Sequence, residues 1–290
     1  MRRLVLVLTA AFAAAVAGAA EPPRGHLVLI GGGDKPDAAM RRFVELAGGP
    51  AAPIVVFPTA SADPDTGPYL ERQLEQEFGC RDVTVLEVRT CEDAHRPDYV
   101  QLADLAGGFF FSGGDQSRII AAFQDSPLFE AVLRSFTRGA VIGGTSAGTA
   151  CQSPLMITGE GNFDLLTADN VELWPGLGFF EGVIVDQHFI ERRRHNRLIS
   201  VILEHPELLG VGVGEDAAVW VRPDRTFEVI GAGWVMVIDA AGARVTRSPG
   251  ASGQKLLGVR DLRVHVLLEG EQFDLESRTV LPRAGAAESR

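Results

Sequence analysis

Short apolar runs alternate with amphipathic segments along the first half of this 290-residue chain. The run HLVLI (26–30) is followed by glycines and then by 35–49, where Met40, Phe43, Val44 and Ala47 recur at helical spacing. The same alternation continues with strand-like runs at 52–58, 83–88, 109–111 and 140–144, and with helical segments at 67–79, 97–108 and about 116–137. Such alternation predicts an α/β fold, with a mostly parallel sheet flanked by helices.

The pattern changes from about Ala217 onward. AAVWV, TFEVIG, GWVMVID and LRVHVLLEG are short strand-like runs with turn residues between them and no helical segment. No linker separates them from the preceding part, so we expect antiparallel C-terminal strands that extend the same domain. The predicted organisation is therefore a single domain over 21–290, in which 217–290 is a β-rich extension.

Residues 1–20 have the features of a secretory signal peptide. Arg2 and Arg3 precede an uncharged apolar run, and small residues lead to Glu21, Pro22 and Pro23. An uncleaved membrane anchor is the alternative, but the apolar run is short for a bilayer span. We therefore predict cleavage near Ala20, a secreted or periplasmic location, and no stable membrane association afterwards.

The chain is acidic, and this bears on its partners. Its formal charge of −11 would become −13 once Arg2 and Arg3 are removed. An acidic body without a basic stripe is not expected to bind nucleic acid. The three cysteines lack metal-type spacing and no zinc or calcium motif appears, so we predict no metal site. We also expect no organic cofactor. A bridge between Cys80 and Cys91 and unpaired thiols both stay open.

Ser146 lies between glycines in VIGGTSAGTACQ (141–152), where a predicted strand ends and a helix begins. Gly-x-Ser-x-Gly at such a junction predicts a nucleophile elbow, a turn so tight that its neighbours must be small. The backbone N–H of Ala147 could then stabilise an oxyanion. An incidental serine in a glycine-rich turn is the alternative interpretation.

A nucleophilic serine needs a base and a carboxylate that orients the base. His188 follows the apolar run VIV (183–185), and Glu215 and Asp216 follow the apolar run LLGVGVG (208–214). Because catalytic groups gather at the carboxyl ends of parallel strands, we predict a triad of Ser146, His188 and Glu215. A core histidine and an ordinary turn glutamate are the alternatives.

A second glycine turn follows the strand-like run FFF in FFFSGGDQSRI (109–119). Its backbone N–H groups, with Gly114 as the candidate, could complete the oxyanion hole, and Gln116 could bind a substrate amide. Asp115 is placed to cap the following helix.

Six motifs together resemble the cyanophycinase branch of the S51 serine peptidases. They are IGGGDK, FPTAS, FSGGDQSRI, GGTSAG, DQHFIERRRHNRL and GVGEDAAV, in order between about residues 28 and 219. The resemblance implies a class I glutamine-amidotransferase-like fold with serine in place of cysteine, and a Ser–His–Glu triad at the same three positions. One departure is Gly214, where many relatives carry aspartate before the glutamate.

The resemblance also implies which residues contact substrate. It places these contacts at Asp186, Gln187, Arg192, Arg194, Arg197 and Gln116. The arginines would meet free carboxylates, and Asp186 would meet a guanidinium group. At helical spacing Arg194 and Arg197 share one face, so not all of the clustered arginines can enter one pocket. A solvated basic face is the alternative.

The function that these observations predict is an exported serine exopeptidase. Its substrate would be cyanophycin, a poly-aspartate chain with arginine on each side-chain carboxyl, and its product the β-aspartyl-arginine dipeptide. The alternatives are an S51-type peptidase for small aspartyl dipeptides or other amides, and a catalytically silent peptide-binding protein. A homodimer is an expectation from the family alone.

Overall fold

The structure is a computed structural model that describes residues 24–161 and 164–282, apart from the side chains of 160 and 161. The predicted signal peptide at 1–20 lies outside the described residues. Within the described ranges, no helix combines the length and the apolar character that a membrane span requires.

A parallel sheet forms the centre of the molecule, as the alternation of apolar and amphipathic segments predicted. Its strands are β1 (His26–Ile30), β2 (Ile54–Phe57), β3 (Val83–Val85), β4 (Gly108–Phe111) and β5 (Val141–Thr145). They lie side by side in the order β1-β5-β4-β2-β3, and every pair is parallel. Parallel pairing brings the carboxyl ends of β1, β4 and β5 to one edge, where the site lies.

Helices connect these strands at the predicted places. They are α1 (Asp37–Leu46), α2 (Thr66–Phe78), α3 (Pro97–Leu105), α4 (Gln116–Phe123) and α5 (Pro127–Arg138), with a 3-10 turn at Asp93–His95. The single helix predicted over 116–137 was wrong. The segment instead contains two helices, α4 and α5. The side chain of Ser126 caps α5, and Pro127 occupies its first turn, where the missing N–H is harmless.

Antiparallel strands extend the central sheet beyond β1, as predicted for this part of the C-terminal region. β10 (Ala218–Val221) pairs with β1, followed by β11 (Thr226–Ile230), β16 (Gln272–Asp274) and β17 (Thr279–Leu281). Among the described residues, the resulting sheet has nine strands.

A second sheet, which the sequence did not indicate, carries the other half of the site. Its four strands lie in the order β15-β12-β9-β8. They are β8 (Val183–Gln187), β9 (Leu209–Val213), β12 (Val235–Asp239) and β15 (Arg263–Leu267). β8 and β9 are parallel and are connected by α7 (His195–Glu204). GWVMVID and LRVHVLLEG therefore join this sheet and not the central one.

Two hairpins and one short helix complete the part of the chain that the structure describes. The hairpins are β6 (Leu155–Gly161) with β7 (Val171–Pro175), and β13 (Arg244–Pro249) with β14 (Lys255–Arg260); the helix is α6 (Ala147–Ala150). Neither hairpin was predicted from the sequence. The β6–β7 hairpin matters for function because it forms one wall of the cleft described below.

One continuous apolar core joins the two sheets. Leu27 and Leu29 of the central sheet share a buried cluster with Val185 of β8 and Val211 of β9. The shared core fixes the ends of β5, β8 and β9 relative to one another, which is what a triad drawn from three strands requires. A Cys80–Cys91 bridge and unpaired thiols were the two alternatives for the cysteines. In the structure Cys80, Cys91 and Cys151 are free thiols.

Candidate active site

Ser146 occupies the tight turn between β5 and α6. Its backbone has φ 53° and ψ −112°, a region that non-glycine residues rarely adopt and that costs about 1–3 kcal/mol. The turn is held by the Ser146 N–H, which donates to the Ile30 carbonyl at 3.1 Å, and by the Ser146 carbonyl, which accepts from the Thr149 N–H at 2.9 Å. The local geometry is therefore that of a nucleophile elbow.

The small neighbours of Ser146 are sterically required. A Cβ at Gly144 would lie 2.3 Å from the Gly148 carbonyl oxygen, and a Cβ at Gly148 would lie 2.1 Å from the carbonyl oxygen of Phe111. Since both contacts are with backbone atoms, a side chain could not be accommodated by a rotamer change.

His188 follows β8 and lies between Ser146 and Glu215. Its Nε2 is 2.9 Å from Ser146 Oγ, and its Nδ1 is 2.5 Å from Glu215 Oε1. The partners assign the tautomer: Nδ1 donates to the carboxylate, so Nε2 can accept the serine proton. The backbone N–H of His188 donates to the Gly31 carbonyl at 2.8 Å, which ties the ring to the end of β1.

The environment of His188 keeps its imidazole neutral. Burial lowers the pKa of His188, and the positive charges of Arg192 and Arg194 act in the same direction, against the opposing effect of Glu215. A neutral imidazole can accept a proton from the serine hydroxyl. The pKa therefore suits a general base at neutral pH.

Glu215, and not Asp216, supplies the carboxylate that meets the histidine. The Glu215 backbone N–H donates to Glu191 Oε2 at 3.1 Å, and the N–H of Gly214 donates to the Trp234 carbonyl at 2.9 Å. These bonds position the turn after β9. A relay from Ser146 through His188 to Glu215 is thus assembled from one strand of the central sheet and two of the second sheet.

Three glycines after β1 contact the predicted triad residues, a role that was not predicted from the sequence. A Cβ at Gly32 would lie 2.2 Å from Cε1 of His188, and a Cβ at Gly33 would lie 3.1 Å from Oε2 of Glu215. Gly32 and Gly33 also have φ values of 125° and 67°. The signal was visible as three consecutive glycines in IGGGDK, but the residues that they contact are about 155–180 positions away in sequence.

The second glycine turn lies beside the serine. A Cβ at Gly113 would lie 3.4 Å from Ser146 Cβ, and Gly114, with φ 139°, packs on the Ala60 carbonyl. Within the described part of the chain, the N–H groups of Gly114 and Ala147 donate to no protein acceptor. These two amides are therefore available to a ligand.

Ser146 opens into a cleft of about 430 Å³. Besides Ser146, the lining comprises residues of the second glycine turn and the start of α4, residues of the β6–β7 hairpin, and polar residues from the end of β8 to the start of α7. They are Gly114, Asp115, Gln116, Ser117, Thr158, Gly159, Glu172, Trp174, Gln187, Arg192, Arg194 and Arg197. Thr158, Glu172 and Trp174 were not predicted from the sequence as site residues. The alternating apolar and polar residues of VELWP could have predicted a strand, but nothing in that pattern indicated that the strand lies near Ser146.

Two of the predicted contact residues bond to each other. Asp186 is 1% exposed and Arg197 2% exposed. The Arg197 guanidinium meets both carboxylate oxygens of Asp186, with Nε 2.7 Å from Oδ2 and Nη2 on Oδ1. Asp186 therefore has little capacity left for a substrate guanidinium. Substrate contact at these two positions stays a prediction.

Arg192, Arg194 and Arg197 form a basic wall of the cleft, and Arg194 bonds to Gln187 beside Ser146. Arg194 Nη1 donates to Gln187 Oε1 at 2.7 Å and to the Gln187 carbonyl at 2.6 Å, and Gln187 Oε1 lies 3.5 Å from Ser146 Oγ. Burial, Arg197 and Arg192 lower the pKa of Arg194 to about 10, although Asp186 raises it. Arg194 still carries its positive charge at neutral pH.

The helix that begins at His195 changes the interpretation of the arginine cluster. Arg192–Arg194 precede α7, and Arg193 has φ 52°, so the helical-face argument for Arg194 was wrong. Arg192 is exposed and lines the cleft, whereas Arg193 is exposed and, among the described residues, is not part of the lining.

Gln116 and Asp115 both bind to protein groups. Gln116 Nε2 donates to the carbonyls of Ile157 and Thr158 at 2.7 and 2.8 Å, which anchors β6 to the start of α4. Asp115 Oδ1 accepts from the Ser117 N–H at 2.9 Å, as expected for a helix cap. In the described ranges, no group of three or more His, Cys, Asp or Glu side chains could hold a metal ion.

The fold and the turn at Ser146 define an α/β protein in which a serine lies where a strand of the mostly parallel sheet meets a helix. The model of peptidase family S51 matches residues 27–229, and the chain belongs to that family of serine-type peptidases. This confirms the resemblance stated from the motifs.

Sequence relatives and a solved structure agree with this assignment. The chain is 35% identical over 262 residues to a cyanophycinase of Nostoc sp. (strain PCC 7120), covering 88% of this chain and 87% of the relative. It is 34% identical to a cyanophycinase of Geminocystis herdmanii (strain PCC 6308), covering 91% and 98%. A crystal structure of a peptidase from an acI-B1 Actinobacterium superposes with a TM-score of 0.66 at 22% identity, covering 87% of this chain and 98% of that one, which shows the shared fold.

Proposed function

We propose that this peptidase is an exported serine exopeptidase that hydrolyses cyanophycin to β-aspartyl-arginine dipeptides. The observation that carries the proposal is the relay with 2.9 Å between Ser146 Oγ and His188 Nε2 and 2.5 Å between His188 Nδ1 and Glu215 Oε1. The relatives named cyanophycinase support the substrate. The signal-like segment at 1–20 supports export.

The chemistry follows from the positions of these atoms. Ser146 Oγ attacks the backbone carbonyl carbon while its proton passes to His188 Nε2, and Glu215 stabilises the imidazolium that forms. The amides of Gly114 and Ala147 hold the oxyanion. His188 then gives the proton to the leaving amine as the C–N bond breaks, which leaves an acyl-enzyme on Ser146.

Water completes the cycle by the reverse sequence. His188 takes a proton from water, the hydroxide attacks the ester carbonyl, and the proton returns to Ser146 Oγ as the carboxylic acid product leaves. Arg192 and Arg194 line the cleft, where they can bind the free α-carboxylates of the substrate's arginyl groups. Asp186 and Arg197, buried against each other, hold the end of β8 in place.

Mass spectrometry of the products tests this function. The purified protein is incubated with insoluble cyanophycin and, separately, with α- and β-aspartyl dipeptides. We expect β-aspartyl-arginine from cyanophycin and no comparable cleavage of the dipeptides. Cleavage of the dipeptides alone would replace the substrate assignment, and binding without turnover would indicate a silent peptide-binding protein.

Variants at the turn after β9 test the triad. Glu215→Gln should lose most turnover because the histidine loses its orienting carboxylate, whereas Asp216→Asn, one residue away, should retain it. An inactive Asp216→Asn protein beside an active Glu215→Gln protein would show that the carboxylate was misassigned.

A further inference from the structure

The cleft needs an acceptor for cationic groups that the predicted contact residues do not supply. The proposed substrate carries a guanidinium group on each aspartyl unit, and Asp186 was the predicted partner. Asp186 is 1% exposed, bonds to both ends of the Arg197 fork, and lies 3.6 Å from Arg194. Arg192, Arg194 and Arg197 line this side of the cleft, which keeps an excess of positive charge even with Arg197 paired to Asp186. A guanidinium would be repelled there.

The acidic and aromatic side chains of the cleft lie on the β6–β7 hairpin. Glu172 and Trp174 are two residues apart on β7, so the strand places them on one face. Leu173, between them, packs towards the buried cluster beneath α7. Both Glu172 and Trp174 line the cleft, and Trp174 is 39% exposed, a large aromatic surface with an open side.

The Glu172 carboxylate is oriented by its neighbour across the hairpin. Thr158 Oγ1 donates to Glu172 Oε2 at 2.7 Å, and Thr158 also lines the cleft. A carboxylate has about four acceptor directions, so one hydroxyl bond leaves capacity for a fork-shaped donor. Asp115, the other acid of the lining, already caps α4 and lies 3.8 Å from Arg118.

We propose that Glu172 and Trp174 form the subsite for a guanidinium side chain of the substrate. Glu172 accepts the N–H groups of the guanidinium, and the indole of Trp174 stacks on its planar face. The subsite and the basic wall then divide the cleft by charge, so that a substrate must carry both a carboxylate and a cation to fill it. This inference rests on the proposed function, and it names the residues that select arginine-bearing units.

Paired substrates test the subsite. Short β-aspartyl-arginine oligomers are compared with oligomers in which citrulline, a neutral group of the same shape, replaces arginine. We expect wild-type protein to prefer the arginine oligomer in kcat/KM by roughly 10- to 150-fold, which is the range for one charge-assisted hydrogen bond. Glu172→Gln should abolish the preference by slowing only the arginine oligomer.

Matched variants separate recognition from folding and from chemistry. Trp174→Ala should raise KM for the arginine oligomer, and Trp174→Phe, which keeps an aromatic face, should recover part of the loss. Glu75→Gln, at an exposed glutamate of α2 outside the cleft lining, should behave as wild type. Labelling of Ser146 by a fluorophosphonate should be unchanged in all of these variants.

Calorimetry on the Ser146→Ala variant keeps the test independent of turnover. We expect Ser146→Ala to bind the arginine oligomer more tightly than the citrulline oligomer. The Ser146→Ala/Glu172→Gln double variant should lose this difference. Such a result would support the subsite even if labelling and hydrolysis failed and the proposed function were wrong. Equal binding of the two oligomers would overturn it. A preference that survives Glu172→Gln and disappears in Asp115→Asn would also overturn it.

Discussion

Gly32 lies so close to the imidazole of His188 that a side chain at this position would collide with the ring. A Cβ at Gly32 would lie 2.2 Å from His188 Cε1 and 2.4 Å from Nε2, the atom that faces Ser146. The Gly31 carbonyl accepts the backbone N–H of the same histidine, and the Ile30 carbonyl accepts that of Ser146. The end of β1 therefore aligns the proposed nucleophile with its base, although it contributes no catalytic side chain.

Gly32→Ala should displace His188 and lower kcat at least about tenfold, since misplacement by about 1 Å can cost a factor of roughly 100. Gly49→Ala is the matched control, because Gly49 also has a positive φ, 88°, but a Cβ there meets nothing within 4 Å. Both variants should lose some stability through backbone strain, and only Gly32→Ala should lose turnover. Steady-state kinetics with thermal melts measure the two effects, and equal kcat values would refute the positioning role.

Ser146→Gly should raise the melting temperature while it abolishes hydrolysis. Ser146 has φ 53° and ψ −112°, a conformation that glycine adopts with little penalty, and relief is expected to be worth about 1–3 kcal/mol. Ser146→Ala removes the same hydroxyl and keeps the Cβ, so it should be inactive without that gain. Denaturant unfolding compares the two variants. An alanine variant as stable as the glycine variant would mean that the turn is unstrained.

The acid limb of the pH–rate profile should lie below the ordinary histidine pKa of 6.5, because burial, Arg192 and Arg194 lower the pKa of His188. The neutral ring is the active form, so kcat/KM falls as pH falls through the lowered pKa. Arg192→Ala should move the limb to higher pH because it removes a nearby positive charge. The rates are measured with a small neutral activated ester, because this substrate has no carboxylate whose binding Arg192→Ala could weaken. Arg193→Ala, outside the cleft lining, should not move the limb.

Asp186→Asn should destabilise the protein by about 3–5 kcal/mol, because it breaks the buried ion pair between Asp186 and Arg197. Arg192→Ala, at an exposed position, should change stability by no more than about 0.5 kcal/mol and should instead raise KM for an aspartyl substrate. Urea unfolding and peptide kinetics separate the two roles. A fully stable Asp186→Asn variant with a raised KM would restore Asp186 to direct substrate contact.

Protein isolated from its native host should begin at Ala20 or Glu21 and should lie outside the cytoplasm, because Arg2, Arg3 and the following apolar run are typical of a cleaved signal. Mass spectrometry of the intact protein measures the N-terminus, and cell fractionation gives the location. Cytoplasmic protein that retains Met1 would contradict export.

Local sequence patterns predicted much of the fold and the position of the proposed nucleophile. The strands around HLVLI and AVIGG were predictable because parallel strands buried on both faces are apolar throughout. The turn at Ser146 was predictable because its glycines are adjacent in sequence and the steric demand is local. The break between α4 and α5 was missed, although Ser126 and Pro127 are a cap and a first-turn residue that the pattern contained.

What the sequence by itself determined is the alternation that makes an α/β sheet, the strained serine turn, and three polar residues that each follow an apolar strand. Only the tertiary structure decided that His188 and Glu215 approach Ser146 from a second sheet, that Asp186 is neutralised by Arg197, and that Glu172 and Trp174 enter the cleft. Periodicity shows whether a strand is buried but not which strand it pairs with, and a charge pattern does not show which charges become partners. Those choices depend on long-range packing of the shared core, which brings together residues that are far apart in the chain.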